Sequence, residues 1–367
     1  MNNDILIIPG NDDGNRGDQA LTMQAVFFAR SLFPDCLCSV VADYSLSTQL
    51  RLITGVPTLE TVLKHPSRFS KKRDNISYSF LIKLSWGVVA FFDFCFKAPL
   101  LVPGLRWLYF LFLPSKQRNT ILKIKNCKCL FVKGGGFLHS YDRSLSTSYR
   151  IFYSLFPINL ALSFGKKVVF LPNSYGPFVG RLSKSLIRKC LSRCVIVSTR
   201  ESISAACLKN QLGLIPFQSF DQGFLLKPLI DEKVKQIFRD VASRRKESRA
   251  VGITLRPYRF EGGEEGKRKY SNYLSTMVSF CLKLLSDGYF IVFVEQVYSE
   301  NEHENDLSAI EEVSKKLPEG SFFIVSDHSL FCQELAAIYG LFDYVIGTRF
   351  HSVIFSLLNR VPCIAIS

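Results

Sequence analysis

At 367 residues, with 47% hydrophobic and 21% charged positions, the chain is long enough for two packed cores and too apolar to be disordered. Much of its formal charge of +15 falls in one segment, where basic residues alternate with aliphatic runs and no nucleic-acid module is visible, which excludes nucleic acid as a partner. The eleven cysteines, with no C-x-x-C pair among them, are expected to be reduced and to serve mainly as small buried hydrophobes.

The first residues carry no basic leader, and a strand is expected over 4–9, which points to a cytoplasmic chain. A Gly- and Asp-rich loop and a helix over 18–33 follow, then a strand over 38–42. From Lys64 to Lys128 there is an insertion with 13 Lys or Arg against Asp74 and Asp93, a local charge of +11. It holds 11 aromatic residues between Tyr78 and Phe112, including Trp86 and Trp107. Basic flanks around aromatic sequence suit an anionic membrane surface, and a buried helical insertion with basic ends is the equal alternative. Lys83, Asp93, Lys97 and Arg106 interrupt the apolar runs, and no stretch reaches about 18 uninterrupted apolar residues. A peripheral posture in the interface is therefore expected, not a span.

Beyond the insertion a strand over 129–132 ends in Lys133-Gly-Gly-Gly136. A helix over 148–163, a strand over 167–171 and a turn from Pro172 to Pro177 come next. A helix over 182–192, a strand over 195–198 and a helix over 201–210 complete this half. After a linker near 226–231 the pattern restarts, with helices over 232–246, 271–286, 306–316, 330–339 and 351–359. Between them lie strands over 250–255, 289–294, 321–325, 344–346 and 361–366. The charged, glycine-bearing stretch from Arg259 to Lys269 reads as a mobile loop. Strand–helix alternation argues for parallel sheets covered by helices. The expected architecture is α/β: two Rossmann-like domains facing a cleft, 1–226 with the insertion at about 64–128, and 227–367.

In such sheets ligands bind beyond the carboxyl ends of the strands, so the strand-end loops are the place to look for chemistry. Between the first strand and helix, Asp12, Asp13 and Asn15 suit sugar hydroxyls, and Asp18 suits a helix first turn or cap. Three consecutive glycines, Gly134, Gly135 and Gly136, exceed what a turn needs and favour a ligand-facing loop. His139 just beyond them reads as a structural hydrogen-bonder. Arg200, at another strand end, either binds an anion or pairs with Glu201 or Asp221. The most informative stretch is Gly347-Thr-Arg-Phe-His351, opening a helix at a strand end. Arg349 supplies a fork for phosphate or carboxylate, and His351 a group able to donate a proton near neutral pH. Arg256, in Thr254-Leu-Arg-Pro-Tyr258, leaves a neighbouring strand. Two arginines and a histidine converging in this way suit a small, highly anionic substrate. No metal cluster is visible, and none is expected to be needed.

Taken together, these motifs resemble the polysaccharide pyruvyl transferase family. Gly14-Asn-Arg-Gly-Asp-Gln-Ala20 is similar to its Gly-Asn-x-Gly-Asp-x-Ala, and Gly134-Gly-Gly136 to its triple-glycine strand end. Ser174-Tyr-Gly-Pro177 and Arg200-Glu-Ser-Ile-Ser204 resemble its next two motifs, and the stretch from Asp343 to Pro362 its most distinctive one. The resemblance implies the two-domain arrangement of B-type glycosyltransferases, phosphoenolpyruvate as donor and a sugar, often lipid-linked, as acceptor, with no separate cofactor. It implies Arg256, Arg349 and His351 at the donor site, and Asn15, Gly17, Asp18, Gly134, Gly135, Gly136, Ser174 and Arg200 as substrate-binding positions. The chain ends at Ser367, where family members continue with a Tyr- and Lys-bearing loop and closing helices. That difference implies either truncation or a missing substrate-contacting element. The alternatives are a nucleotide-sugar glycosyltransferase of the same architecture and a membrane-attached, non-catalytic binding subunit. A homo-oligomer is compatible with the sequence.

Overall fold

The computed structural model describes residues 4–10, 13–42, 54–63, 80–260, 262–299 and 304–366. Asp12, Asp74 and the basic run from Lys64 to Arg73 lie outside the described residues. The chain divides into two compact units, one of Met1–Asp12 and Leu21–Gln222, the other of Asp13–Ala20 and Gly223–Ser367. The alternation of strands and helices assigns residues 13–20 to the N-terminal half, but their contacts place them in the second unit.

In the first unit, β1 (Ile5–Gly10), β2 (Cys38–Ala42), β3 (Thr58–Glu60), β4 (Cys129–Val132), β5 (Gly135–Ser140), β6 (Lys167–Phe178), β7 (Ile196–Thr199) and β8 (Phe217–Gln218) form one sheet. Its order is β3-β2-β1-β4-β6-β7-β8, with β5 paired to β6, and the pairings are parallel. Every residue of β2 and β4 is buried, as expected of parallel strands covered on both faces. Leu6, Leu130, Val132, Phe156 and Phe170 form part of its core. Two expectations change here. The segment from Pro172 to Pro177 is no free turn but the end of the long strand β6, and the second and third glycines open β5.

The described part of the insertion is helical: α1 is the earlier helix Arg16–Leu32, and α2 (Phe80–Lys97), a short 3-10 turn (Ala98–Leu101) and α3 (Arg106–Leu111) follow β3. Leu100 is fully buried in the first unit's core, and Phe94 meets Phe152 edge-on at 5.0 Å. Tyr109 and Phe110 also pack against that core, whereas Phe91, Phe92, Phe96, Trp107 and Phe112 are exposed. No uninterrupted apolar run of about 18 residues occurs, since Asp93 and Lys97 break the longest one. The helical window Leu84–Leu101, with mean hydropathy 1.4, is long and apolar enough by length and composition to cross a membrane.

The second unit contains β9 (Ala250–Ile253), β10 (Phe290–Val294), β11 (Phe322–Val325), β12 (Tyr344–Gly347) and β13 (Cys363–Ala365). They form a parallel sheet in the order β11-β10-β9-β12-β13. Val251, Ile253, Ile291, Phe293, Ile310 and Ile346 build its core, and burying a side chain of this kind contributes about 1.5–3 kcal/mol relative to exposure. Asp231 caps the first helix of the 223–367 segment, Glu232–Arg245, by accepting from the Val234 amide at 3.0 Å. The stretch read as a loop ending at Lys269 instead runs into the helix Glu264–Ser286, whose first turn carries Glu264 and Glu265 on the favourable side of its dipole.

Candidate functional site

Strand order reverses between β9 and β12, and such a switch point opens a crevice at the carboxyl ends of the strands. The two strand ends are stitched together there. The Thr254 hydroxyl accepts from the Thr348 amide at 3.0 Å, and the Thr348 hydroxyl donates to the Thr254 carbonyl at 2.9 Å. Arg256 and Arg349 therefore leave adjacent strands at the same end of one sheet. Arg256 is exposed, its guanidinium lies 5.6 Å from the Tyr258 ring centroid, and its amide donates to the Tyr273 hydroxyl at 3.4 Å.

Arg349 stands differently from the open fork the sequence suggested. Its Nε donates to Asp306 Oδ1 at 2.9 Å, Nη2 also meets Asp306, and Nη2 donates to the Glu304 carbonyl at 3.2 Å. Asp306 is completely buried, and burial pushes its pKa up to about 6 despite the opposing pull of Arg349. Part of the guanidinium is thus committed to a protein carboxylate. Arg349 is a cation held in place, and Arg256 is the more accessible of the two.

His351 lies in the first turn of the helix Phe350–Leu358, with its ring 5.5 Å from Phe350 and 6.3 Å from Phe355. It packs against Gly17 so closely that a Cβ at that position would fall 2.3 Å from Nδ1. Only glycine fits there, which gives Gly17 a steric role in seating the imidazole. The loop carrying Gly17 is strapped to the second sheet. Asn15 bridges Val297, the Arg16 amide donates to the Gln296 carbonyl at 3.3 Å, and the Tyr298 amide donates to the Gly14 carbonyl at 3.0 Å. Asn15 caps α1, its Oδ1 accepting from Gly17 and Asp18 amides while its Nδ2 donates to Asp18 Oδ2 at 2.9 Å. Asn15, read from the sequence as suited to sugar hydroxyls, holds the helix start together with Asp18, which stands in the first turn as its sequence position suggested.

A feature absent from the sequence reading sits at the end of β10. Glu295 is buried, and its Oε2 lies 3.0 Å from His328 Nε2. Its Oε1 has no hydrogen-bond partner among the described residues. Burial first, and the nearby Asp306 charge second, push its pKa up to about 8, while burial lowers that of His328. Both shifts oppose a carboxylate–imidazolium pair and favour the uncharged form of each group. Tyr298 stacks on His328 with centroids 3.7 Å apart, and the His328 carbonyl accepts from Arg16 Nη2 at 2.9 Å. Gly14, Arg16, Glu295, Tyr298, Asp327 and His328 line the resulting recess. The sequence signal was a Glu-Gln pair directly after an all-apolar strand, at the end of the sheet where ligands bind.

The first unit holds a separate polar cluster. Arg200 pairs with the buried Asp221 at 2.5 Å and donates from Nε to the Ser174 hydroxyl at 2.7 Å, with Glu201 at 3.4 Å. Ser174 in turn donates to Glu201 at 3.1 Å. Arg200 therefore makes the pairing that the sequence left open beside anion binding, and Ser174, implied as a substrate-binding position, joins that network. Gly134 has a packing reason, because a Cβ there would lie 2.9 Å from the Pro172 carbonyl. Gly135 and Gly136 enter β5, where the Gly136 carbonyl accepts from His139 Nδ1 at 3.1 Å.

A sequence model of the family described as polysaccharide pyruvyl transferase matches residues 15–367. No curated protein sequence is similar enough to match. Among solved structures, a Listeria monocytogenes protein described as a UDP-N-acetylglucosamine 2-epimerase is similar with a TM-score of 0.54 at 9% identity. That likeness covers 100% of this chain and 79% of the other. A glycosyltransferase from Rickettsia africae is similar with a TM-score of 0.52 at 10% identity, again with 100% and 79% covered. At such identities the likeness speaks for the fold: parallel α/β units of the Rossmann-like kind that B-type glycosyltransferases and epimerases use.

Proposed function

The chain belongs to the polysaccharide pyruvyl transferase family, and on that premise we propose that it transfers a pyruvyl group from phosphoenolpyruvate to a sugar of a polysaccharide or lipid-linked glycan. The observation that supports this reading is the gathering of Arg256, Arg349 and His351 at the switch point of the second sheet. Phosphoenolpyruvate carries close to three negative charges on a small frame. Arg256, exposed and adaptable, meets that charge, and each such charge-assisted contact contributes about 1.5–3 kcal/mol. Arg349, held by Asp306, presents a fixed positive field beside it.

The reaction needs a proton on the methylene carbon and a sugar oxygen on the adjacent carbon. His351 delivers the proton, a role typically worth about 10²–10⁴ in rate. As the sugar oxygen bonds to the central carbon its proton passes to solvent, from which His351 is reprotonated. The bond from that carbon to the phosphate oxygen then breaks, phosphate departs, and a second hydroxyl closes the ketal, its proton leaving with the phosphate. Gly17 seats the imidazole, and the Glu295–His328–Arg16 chain secures the loop that carries Gly17. This assigns Glu295 a positioning role. Phosphoenolpyruvate as donor and a lipid-linked glycan as acceptor place the reaction at the cytoplasmic leaflet.

The test is to supply the protein in parallel with phosphoenolpyruvate plus lipid-linked or free glycans, and with sugar nucleotides plus the same acceptors. Glycan-dependent phosphate release supports the reading. Nucleotide release with no use of phosphoenolpyruvate replaces it with a glycosyltransferase, and release of neither with a binding subunit.

A further inference from the structure

The helical insertion is amphipathic in the reverse of the usual sense. Along α2, the residues Leu81, Leu84, Val88, Phe91 and Cys95 recur at the three- and four-residue spacing of one helix face, and all are exposed. Phe92 and Phe96 widen that stripe. The only charged residues between Leu84 and Phe112 are Asp93, Lys97 and Arg106. All three are turned toward the first unit. Asp93 and Lys97 form an ion pair of 2.6 Å with side chains only 13% and 10% exposed. Arg106 donates to the Leu100 carbonyl and to the Ser163 hydroxyl, each at 2.7 Å, and its guanidinium lies 3.9 Å from the Phe164 ring centroid. The charges that interrupt the apolar sequence therefore do not interrupt the apolar surface. On α3 and its flanks Leu105, Trp107, Leu111 and Phe112 are exposed as well.

A soluble surface rarely carries so large a contiguous apolar face without a partner. We propose that this face is a monotopic platform embedded in one leaflet of an anionic bilayer, with α2 and α3 lying along the interface. Three observations select this occupant. The sequence that follows the apolar stretch, 113–128, carries Lys116, Arg118, Lys123, Lys125 and Lys128 with no acidic residue, which is complementary to anionic head groups. The same charge opposes a second copy of the chain, because a two-fold contact would bring two such segments together. The face presents phenylalanine, leucine and tryptophan with its charges withdrawn, the pattern of an interfacial helix. At about 27 Å, α2 has nearly the length of the hydrocarbon layer. It nevertheless lies in one leaflet, because Phe94 on its inner side and Leu100 in the turn that follows fasten it to the body of the first unit.

The inference does not depend on the chemistry proposed for the second unit, and its test does not use enzyme activity. The full chain is sedimented with vesicles of phosphatidylglycerol and phosphatidylcholine, and with phosphatidylcholine alone. A Trp86→Phe variant leaves Trp107 as the sole tryptophan, so its quenching by lipids brominated along the acyl chain reports insertion. The expected result is binding to the anionic vesicles, weakened by salt, with Trp107 quenched. Phe91→Ser with Phe92→Ser, and separately Phe112→Ser, should each lower partitioning about tenfold or more while the melting temperature holds, since these side chains contact solvent. Failure to bind anionic vesicles at low salt overturns the proposal. So does binding without quenching, which denotes head-group attraction alone. A lipid-free dimer that the same substitutions dissolve would assign the face to a second copy and likewise overturn it.

Discussion

The guanidinium of Arg349 is braced by the completely buried carboxylate of Asp306, with Nε 2.9 Å from Oδ1. Removing one member of a buried ion pair strands the other, at a cost of about 3–5 kcal/mol. Arg349→Ala is therefore expected to lower both the melting temperature and phosphoenolpyruvate affinity. Arg256→Ala, at an exposed position, should lower affinity with the melting temperature unchanged. Thermal unfolding beside equilibrium binding of phosphoenolpyruvate checks the contrast. Equal loss of stability in both variants would contradict this assignment.

His351→Ala should reduce turnover more than phosphoenolpyruvate binding if the imidazole delivers the proton. Gly17→Ala should reproduce part of that loss without touching the imidazole itself, because the added methyl meets Nδ1 at 2.3 Å. Overpacking of this kind costs typically about 1–3 kcal/mol. Steady-state kinetics with stability measured in parallel checks both. A fully active Gly17→Ala enzyme would show that the packing is incidental.

Glu295 couples stability to pH. Its folded pKa of about 8 lies above the ordinary carboxyl value of 4.5, so the folded state binds the proton more tightly than the unfolded chain. This contribution is fully present below the unfolded pKa and is lost as pH rises through about 8. Stability measured by denaturant unfolding should fall between pH 5 and pH 8, and Glu295→Gln should flatten that fall. An unchanged slope in the variant would mean that other groups cause it.

Arg200 and Asp221 make a matching prediction in the first unit. Arg200→Ala should destabilise by about 3–5 kcal/mol, because Asp221 would remain buried without its countercharge. Arg200→Ala with Asp221→Asn should recover much of the loss. Chemical denaturation of both variants checks this, and a stable single variant would return Arg200 to the substrate-binding residues.

Much of the fold was legible because buried parallel strands announce themselves. Runs such as Cys129–Val132 and Phe290–Val294 are apolar throughout and bounded by turn residues or charge. The glycines and prolines of β6 were harder, since a strand end held by neighbours on both sides tolerates residues that propensity assigns to turns. The positions of Arg256, Arg349 and His351 just beyond strand ends could be read from the sequence. Asp306 and His328 could not, because their importance comes from contacts made 43 residues away to Arg349 and 33 residues away to Glu295. The inward turn of Asp93, Lys97 and Arg106 was equally invisible, since a sequence shows that charges interrupt an apolar run but not which way they face.

The proton on the methylene carbon offers the most direct test of the central claim. The protein is incubated in deuterated water with phosphoenolpyruvate and a glycan acceptor, and the product is examined by mass spectrometry and nuclear magnetic resonance. The account predicts a pyruvyl ketal on the glycan whose methyl group carries one solvent-derived deuterium, with one phosphate released per ketal, and a much slower reaction for His351→Ala. A glycan extended by a sugar from a nucleotide donor, with phosphoenolpyruvate left intact, would contradict it.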